Sequence, residues 1–252
     1  MRNLLYSLYE RRLWRQIKNG PQPHHIGIIM DGNRRFARRI GLASHLGHKY
    51  GVEKLREVLR WCWELEVGVV TLYTFSSENF NRSNVEINTI MDLASDNFLK
   101  LADEPEIHNK NVRIKAIGRR NRLPKDLQKA IQHAEDATKH YTERTIQIAI
   151  SYGGREEIID AIRNIVHLSH RNGLVPETID ENLVASYLYT NGIPDPDLVI
   201  RTSGEERLSG FMLWQTAYSE LVFLDVFWPI MRKIDLWRAI RTFQQRERRH
   251  GN

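Results

Sequence analysis

Along this chain the spacing of apolar residues switches back and forth between two periods. Short runs rich in Val and Ile occur at residues 25–30, 67–75, 112–117, 145–152, 198–201 and 221–224. Runs of this length, apolar on both faces, predict strands buried on both sides. Between most of them apolar residues recur every three or four positions. Val52, Leu55, Val58, Leu59 and Cys62 make one such series; Ile158, Ile159, Ile162, Ile165 and Val166 make another. That spacing predicts helices with one face turned to a sheet. Strand and helix in alternation predict an α/β fold, a mostly parallel six-stranded sheet flanked by helices. No internal repeat and no interior linker breaks the pattern, so residues 21–252 are expected to form a single domain.

The first 20 residues read differently. Residues 4–18 predict an amphipathic N-terminal helix with Leu5, Leu8, Tyr9, Leu13 and Ile17 on one side and Arg11, Arg15 and Lys18 on the other. Gly20-Pro21-Gln22-Pro23 ends it, because proline bars the residue before it from the helical region. Such a helix can lie on an anionic membrane surface or dock on its own domain; the reading leans to the membrane.

Composition narrows the class. Hydrophobic residues make up 41% and charged residues 27% of the 252, with 15 Gly and 8 Pro, a globular balance. A lone cysteine, Cys62, excludes an internal disulfide and a Cys-based zinc site. No apolar run is long enough to span a bilayer, and the start has neither a continuous apolar core nor a small-residue cleavage site. The expected setting is reduced and cytoplasmic, with membrane association no more than peripheral. Lys and Arg number 37 against 31 Asp and Glu, a net charge of +6. Near the C-terminus Arg232, Lys233, Arg238, Arg241, Arg246, Arg248 and Arg249 face only Asp235 and Glu247. Anionic partners are favoured. No nucleic-acid recognition motif or interleaved basic and aromatic surface accompanies the charge, so nucleic acid is not expected.

In open parallel sheets ligands bind beyond the carboxyl ends of the strands, and the unusual polar clusters fall there. The first strand runs into Asp31-Gly32-Asn33-Arg34-Arg35-Phe36 and the second into Ser76-Ser77-Glu78-Asn79-Phe80-Asn81-Arg82. The fourth ends in Gly153-Gly154-Arg155-Glu156, and the fifth in Arg201-Thr202-Ser203-Gly204 with Arg207 and Ser209 following. Taken singly, each has a plainer explanation: a helix cap, a tight turn or a surface charge. Taken together, a strand-end carboxylate, several guanidinium groups and Gly-bearing turns suit a multiply charged anion. Arg offers bidentate donors, and a carboxylate can hold Mg²⁺ against phosphate oxygens. P-loop, Rossmann and nucleophile-elbow signatures are all missing. The chemistry indicated is a Mg²⁺-assisted reaction of a diphosphate.

The same blocks resemble the cis-prenyltransferases of the undecaprenyl diphosphate synthase family. They are HIGIIMDGNRRFA (25–37), GHKYG (47–51), TLYTFSSENFNR (71–82), ISYGGREEI (150–158), DLVIRTSGEERLSGFMLWQTAYSELVF (197–223) and RERRHG (246–251). The resemblance implies an elongated apolar tunnel, a homodimer, and Mg²⁺-dependent condensation of isopentenyl diphosphate onto an allylic diphosphate primer (C10 to C20) to make cis double bonds. Asp31 and Asn79 would be catalytic. Gly32, Asn33, Arg34, Arg35, Phe36, His48, Ser76, Phe80, Arg82, Arg201, Arg207 and Ser209 would bind the substrates, with Arg249 and Gly251 completing a site across the dimer. Asp31 and Glu220 would be the metal-associated carboxylates. Arg34 stands where the bacterial pattern has Gly, and Ser44 where it has Arg, which reads as a swap of guanidinium positions. Small and polar residues at 94–97, in the helix that would wall the tunnel, suggest a short-to-medium product. Two other outcomes stay open: a non-catalytic subunit of a heteromeric prenyltransferase, and a family member making a non-head-to-tail product. The motif residues Asp31, Asn79, Arg201, Arg207, Ser209 and Glu220 are retained, which favours an enzyme.

Overall fold

The structure is a computed structural model that describes residues 2–172 and 174–246. Its strands are β1 (His25–Ile29), β2 (Val69–Ser76), β3 (Val112–Ile117), β4 (Arg144–Tyr152), β5 (Leu198–Thr202) and β6 (Glu220–Leu224). The helices are α1 (Arg2–Ile17), α2 (Asn33–Arg39), α3 (Gly47–Glu64), α4 (Asn84–Asp103), α5 (Pro105–Asn109), α6 (Lys125–Thr138), α7 (Gly154–Asn172), α8 (Glu181–Tyr187) and α9 (Lys233–Gln245). All six expected strands are present, with no end displaced by more than two residues. They form one sheet in the order β3-β4-β2-β1-β5-β6, and β1 with β5, β5 with β6, and β3 with β4 run parallel.

Within this α/β domain the chain divides into two compact units. The first comprises Met1–Leu72, Pro196–Arg207 and Tyr218–Asn252; the second comprises Tyr73–Asp195 and Leu208–Ala217. In the first, every residue of β1 and β5 is buried, which is why both read as unbroken apolar runs rather than alternating ones. The buried His25 meets the Thr71 hydroxyl at 2.7 Å, so its polar ring does not go unsatisfied. The register sets Ile29 beside Arg201, so the polar residues that follow both strands emerge at one end. In the second unit Phe75, Ile114, Ile131, Ile148, Tyr152 and Phe211 are buried, and α6 packs on both α4 and β3.

The expected N-terminal helix is α1, and it docks on α9. Leu13 and Ile17 are fully buried, Trp14 lies 5.3 Å from Trp237 between ring centroids, and Arg238 both stacks on Tyr9 and donates to its hydroxyl at 3.1 Å. Gln244 closes the far end by donating to the Ile17 and Pro21 carbonyls. The leaning toward a membrane is therefore corrected for this half of the helix, because its apolar side has a protein partner. Leu5 and Leu8 remain exposed.

The α7 series also divides. Ala161 and Ile165 are buried, whereas Ile159, Ile162 and Val166 are exposed. The apolar spread on this helix is wider than the face it buries within the chain. Among the described residues no helix is long and apolar enough to cross a membrane.

Candidate active site

In the first unit β1 ends on Ile29, and after Met30, Asp31 and Gly32 the chain turns into α2. Gly32 makes that turn at φ +102°, and a Cβ there would lie 2.8 Å from the Phe227 ring, so only glycine fits. The turn leaves Asp31 facing the end of β5. Arg201, itself buried, donates from Nη2 to Asp31 Oδ2 at 2.9 Å, and the Gly32 N–H donates to Oδ1 at 2.6 Å. Arg35 approaches the same carboxylate at 3.4 Å. Burial pushes the Asp31 carboxyl up, but Arg201, the Gly32 N–H and Arg35 together outweigh it, and the net effect holds the group below its ordinary value.

Arg35 also donates to Ser203 Oγ and, at 3.0 Å, to Glu205 Oε1. Glu205 receives Arg207 on its other oxygen, while Arg201 Nη1 donates to the Arg207 carbonyl. Three guanidinium groups thus meet two carboxylates at the carboxyl ends of β1 and β5. Glu205 occupies donors on both Arg35 and Arg207 that a phosphate oxygen would seek.

The block GHKYG acquires a structural meaning. A Cβ on Gly47 would lie 2.0 Å from the Asn33 carbonyl oxygen, and one on Gly51 would lie 2.4 Å from Asn33 Oδ1. These two residues, one helical turn apart on α3, make the seat in which Asn33 rests. Asn33 donates to the Met30 carbonyl at 3.1 Å, and its Oδ1 is buried with no hydrogen-bond partner. Phe36 meets Tyr50 edge-on at 5.5 Å. His48 is half-buried in the first turn of α3, and Arg34 is exposed. At Ser44 the guanidinium present belongs to Arg38, which donates to its hydroxyl at 3.1 Å.

The second unit carries Ser76, Asn79, Phe80, Arg82 and Ser209. The Ser76 N–H donates to Asn79 Oδ1 at 3.1 Å across the short 3-10 turn Ser77–Asn81, so the capping alternative for this cluster is realised by Asn79. Phe80 packs edge-on against Phe75 at 4.9 Å, and Arg82 pairs with the buried Glu86 at 2.9 Å. Ser209 holds a left-handed φ of +49°, a conformation costly for a residue with a side chain. Tyr73, stacked on Phe211 at 4.9 Å, donates to the Ser209 carbonyl at 3.1 Å. Glu157 steadies the same stretch: it is buried and accepts from Tyr152, Gln215 and the Tyr189 N–H. Burial, outweighing those donors, pushes its carboxyl up.

The two carboxylates expected at the metal stand apart within one chain. Glu220 stands beside Leu198, and Leu198 beside Ile26, at the amino ends of these parallel strands. Asp31 follows the opposite end, about 15 Å further along the strand direction. Glu220 is paired with Arg246 instead, so the two carboxylates do not share an ion within one chain. Arg249 and Gly251 lie outside the described residues. Among the described residues no group of three or more His, Cys, Asp or Glu converges. The ionised Asp31 carboxylate still fits Mg²⁺, which characteristically takes one or two protein carboxylates and completes its shell with phosphate oxygens and water.

Comparison with known proteins gives the chain relatives in sequence and in fold. Residues 29–251 match the family described as "Putative undecaprenyl diphosphate synthase". The chain is 52% identical, over 98% of its length and 91% of the relative's, to a tritrans,polycis-undecaprenyl-diphosphate synthase (geranylgeranyl-diphosphate specific) of Methanopyrus kandleri. It is 47% identical to an isoprenyl transferase of Thermus thermophilus, over 98% and 95% of the two chains. Its fold superposes on lavandulyl diphosphate synthase of Lavandula x intermedia, crystallised with dimethylallyl diphosphate, with a TM-score of 0.86 and 33% identity. That likeness covers 90% of this chain and 97% of the other.

Proposed function

The chain belongs to the undecaprenyl diphosphate synthase family, and we propose that it joins isopentenyl diphosphate to an allylic diphosphate, with Mg²⁺, to extend a cis-polyprenyl diphosphate. The observation that carries this reading is the pairing of Arg35 and Arg201 with the ionised Asp31 at the carboxyl ends of β1 and β5, with Arg207 joined to the group through Glu205. The name of the M. kandleri relative supports geranylgeranyl diphosphate as primer and an undecaprenyl product, longer than residues 94–97 alone suggest.

Ionising an allylic diphosphate places negative charge on the leaving group. Arg35, Arg201 and Arg207 offer fixed donors to that charge, held in place before substrate arrives. Glu205 yields its two guanidinium partners to the incoming phosphate oxygens. Mg²⁺, held by Asp31 and the diphosphate, would supply further charge stabilisation. Asn33 and the backbone at Gly32 orient the primer's diphosphate, and Arg207 binds isopentenyl diphosphate; the motif positions of Ser76, Asn79, Arg82 and Ser209 support a part for them in the same reaction. The departing proton goes to a diphosphate oxygen or to Asp31. The proposal includes an apolar tunnel for the growing chain, a homodimer in the cytoplasm, and peripheral contact with a membrane through Leu5 and Leu8.

The test supplies purified protein with Mg²⁺, labelled isopentenyl diphosphate and, separately, geranyl, farnesyl and geranylgeranyl diphosphates. A ladder of cis-extended products, longest and fastest with geranylgeranyl diphosphate and abolished in Asp31→Ala, is the expected result. A branched product from two allylic units would replace the head-to-tail reading. No product with any primer would overturn it.

A further inference from the structure

The turn Ser77–Asn81 carries two of the site residues, and its side chains reach beyond it to a cluster of charges that the reaction itself does not use. Ser77 Oγ donates to Glu156 Oε2. The other oxygen of Glu156 accepts from Arg119 at 2.9 Å and lies 3.6 Å from Arg122. Arg122 in turn places its guanidinium over the Phe80 ring, 4.4 Å from the centroid. Ser77 and Phe80 are therefore both tied to Glu156, the first directly and the second through Arg122.

Glu156 is itself held. Arg119 presents its Nε and Nη2 to both oxygens of Asp160, each at 2.9 Å. Asp160 is one turn further along α7 and also accepts from the Tyr189 hydroxyl. A bidentate pair of this kind fixes the guanidinium in plane and direction, unlike a single exposed ion pair, which contributes little. The side chains of Glu156, Arg119 and Asp160 are each no more than 30% exposed. Gly153 leaves the space the cluster needs, since a Cβ there would come within 3.3 Å of both Glu156 Oε2 and Ser77 Oγ.

We propose that Glu156 is the positioning residue of the turn, setting where Asn79 and Phe80 stand, with Arg119 and Asp160 as its fixed support. This rests on the prenyltransferase reading for its catalytic consequence. The consequence falls on turnover, because a group misplaced by an ångström costs on the order of a hundredfold in rate while the diphosphates keep their own arginine contacts.

The test has an arm free of substrate and an arm with it. Hydrogen exchange followed by mass spectrometry compares the peptide covering residues 76–82 in wild type, Glu156→Ala and Glu156→Gln. Faster exchange in Glu156→Ala, partly restored in Glu156→Gln (whose amide oxygen still accepts from Ser77), is expected. Unchanged exchange would overturn the proposal. In steady-state kinetics Glu156→Ala should lower kcat by about ten- to a hundredfold, with KM for each diphosphate within about threefold. In an Asn79→Ala background the same change should cost almost nothing more, since residues acting as a unit are non-additive. A full multiplicative loss there, or a loss confined to KM, would mean that Glu156 does not act through the turn. If wild type makes no prenyl product, the functional reading fails while the exchange arm still decides whether Glu156 holds the turn.

Discussion

Asp31 receives the Arg201 guanidinium at 2.9 Å and the Gly32 N–H at 2.6 Å, so its charge is answered by donors before any substrate arrives. A carboxylate whose folded pKa is depressed stabilises the fold above its unfolded value and loses that contribution as pH falls through the folded one. For Asp31 the contribution is whole above the ordinary 3.8, begins to fall below it, and is gone once pH has dropped through the lower folded value. Asp31→Asn should lower stability at pH 7 by about 1–2 kcal/mol, because the buried Arg201 loses its counter-charge. Thermal unfolding of both proteins at pH 7 and pH 3 checks this: the gap should narrow at pH 3, and an unchanged gap would locate the effect elsewhere. At this scale Asp31, Arg35 and Arg201 were legible in the sequence, because strand ends in a parallel sheet announce where ligands go. Glu205 was not singled out, although it sits in a quoted motif. Its role exists only once the fold brings Arg35, 170 positions away, within 3.0 Å.

Two helices show how far periodicity reaches. The face Leu5–Leu8–Leu13–Ile17 reads as one stripe, but α9 covers only its second half. Leu13→Ala should therefore destabilise the protein by about 2–4 kcal/mol, the cost of a buried cavity. Leu8→Ser should leave the melting temperature unchanged while weakening co-sedimentation with anionic vesicles. Equal vesicle binding by wild type and Leu8→Ser would remove the proposed membrane contact. In α7 a five-residue apolar series proves to be two faces, since Ile165 is buried and Ile159 and Ile162 are not. A count of apolar positions cannot separate a face covered within the chain from one that is exposed. GHKYG on α3 teaches the converse: its glycines look like flexibility, yet they are the space that Asn33 fills.

At the scale of the molecule, the ends of β1 and β5 bring three guanidinium groups and two carboxylates together, and among the described residues no cage of cation ligands forms. With Asp31 as the carboxylate open to a metal and no cluster of three ligating side chains among the described residues, Mg²⁺ should bind together with the diphosphate rather than to the protein alone. Chelation with EDTA should abolish prenyl transfer yet leave the melting temperature of the substrate-free protein unchanged. A drop on chelation would reveal a pre-formed metal site. Local pattern along the chain specifies the strands, the helices between them and the parallel arrangement, because burial on both faces and the two apolar periods are properties of neighbouring residues. Motif spacing likewise specifies the chemistry, because diphosphates demand arginines and a carboxylate at strand ends. Which charges meet is settled by the fold. Register sends Glu220 to the amino end of β6 and pairs it with Arg246, and the approach of α7 to the turn at 77–81 hands Ser77 to Glu156. Those partners lie tens of residues apart, and no local periodicity records a contact that exists only after the chain has closed on itself.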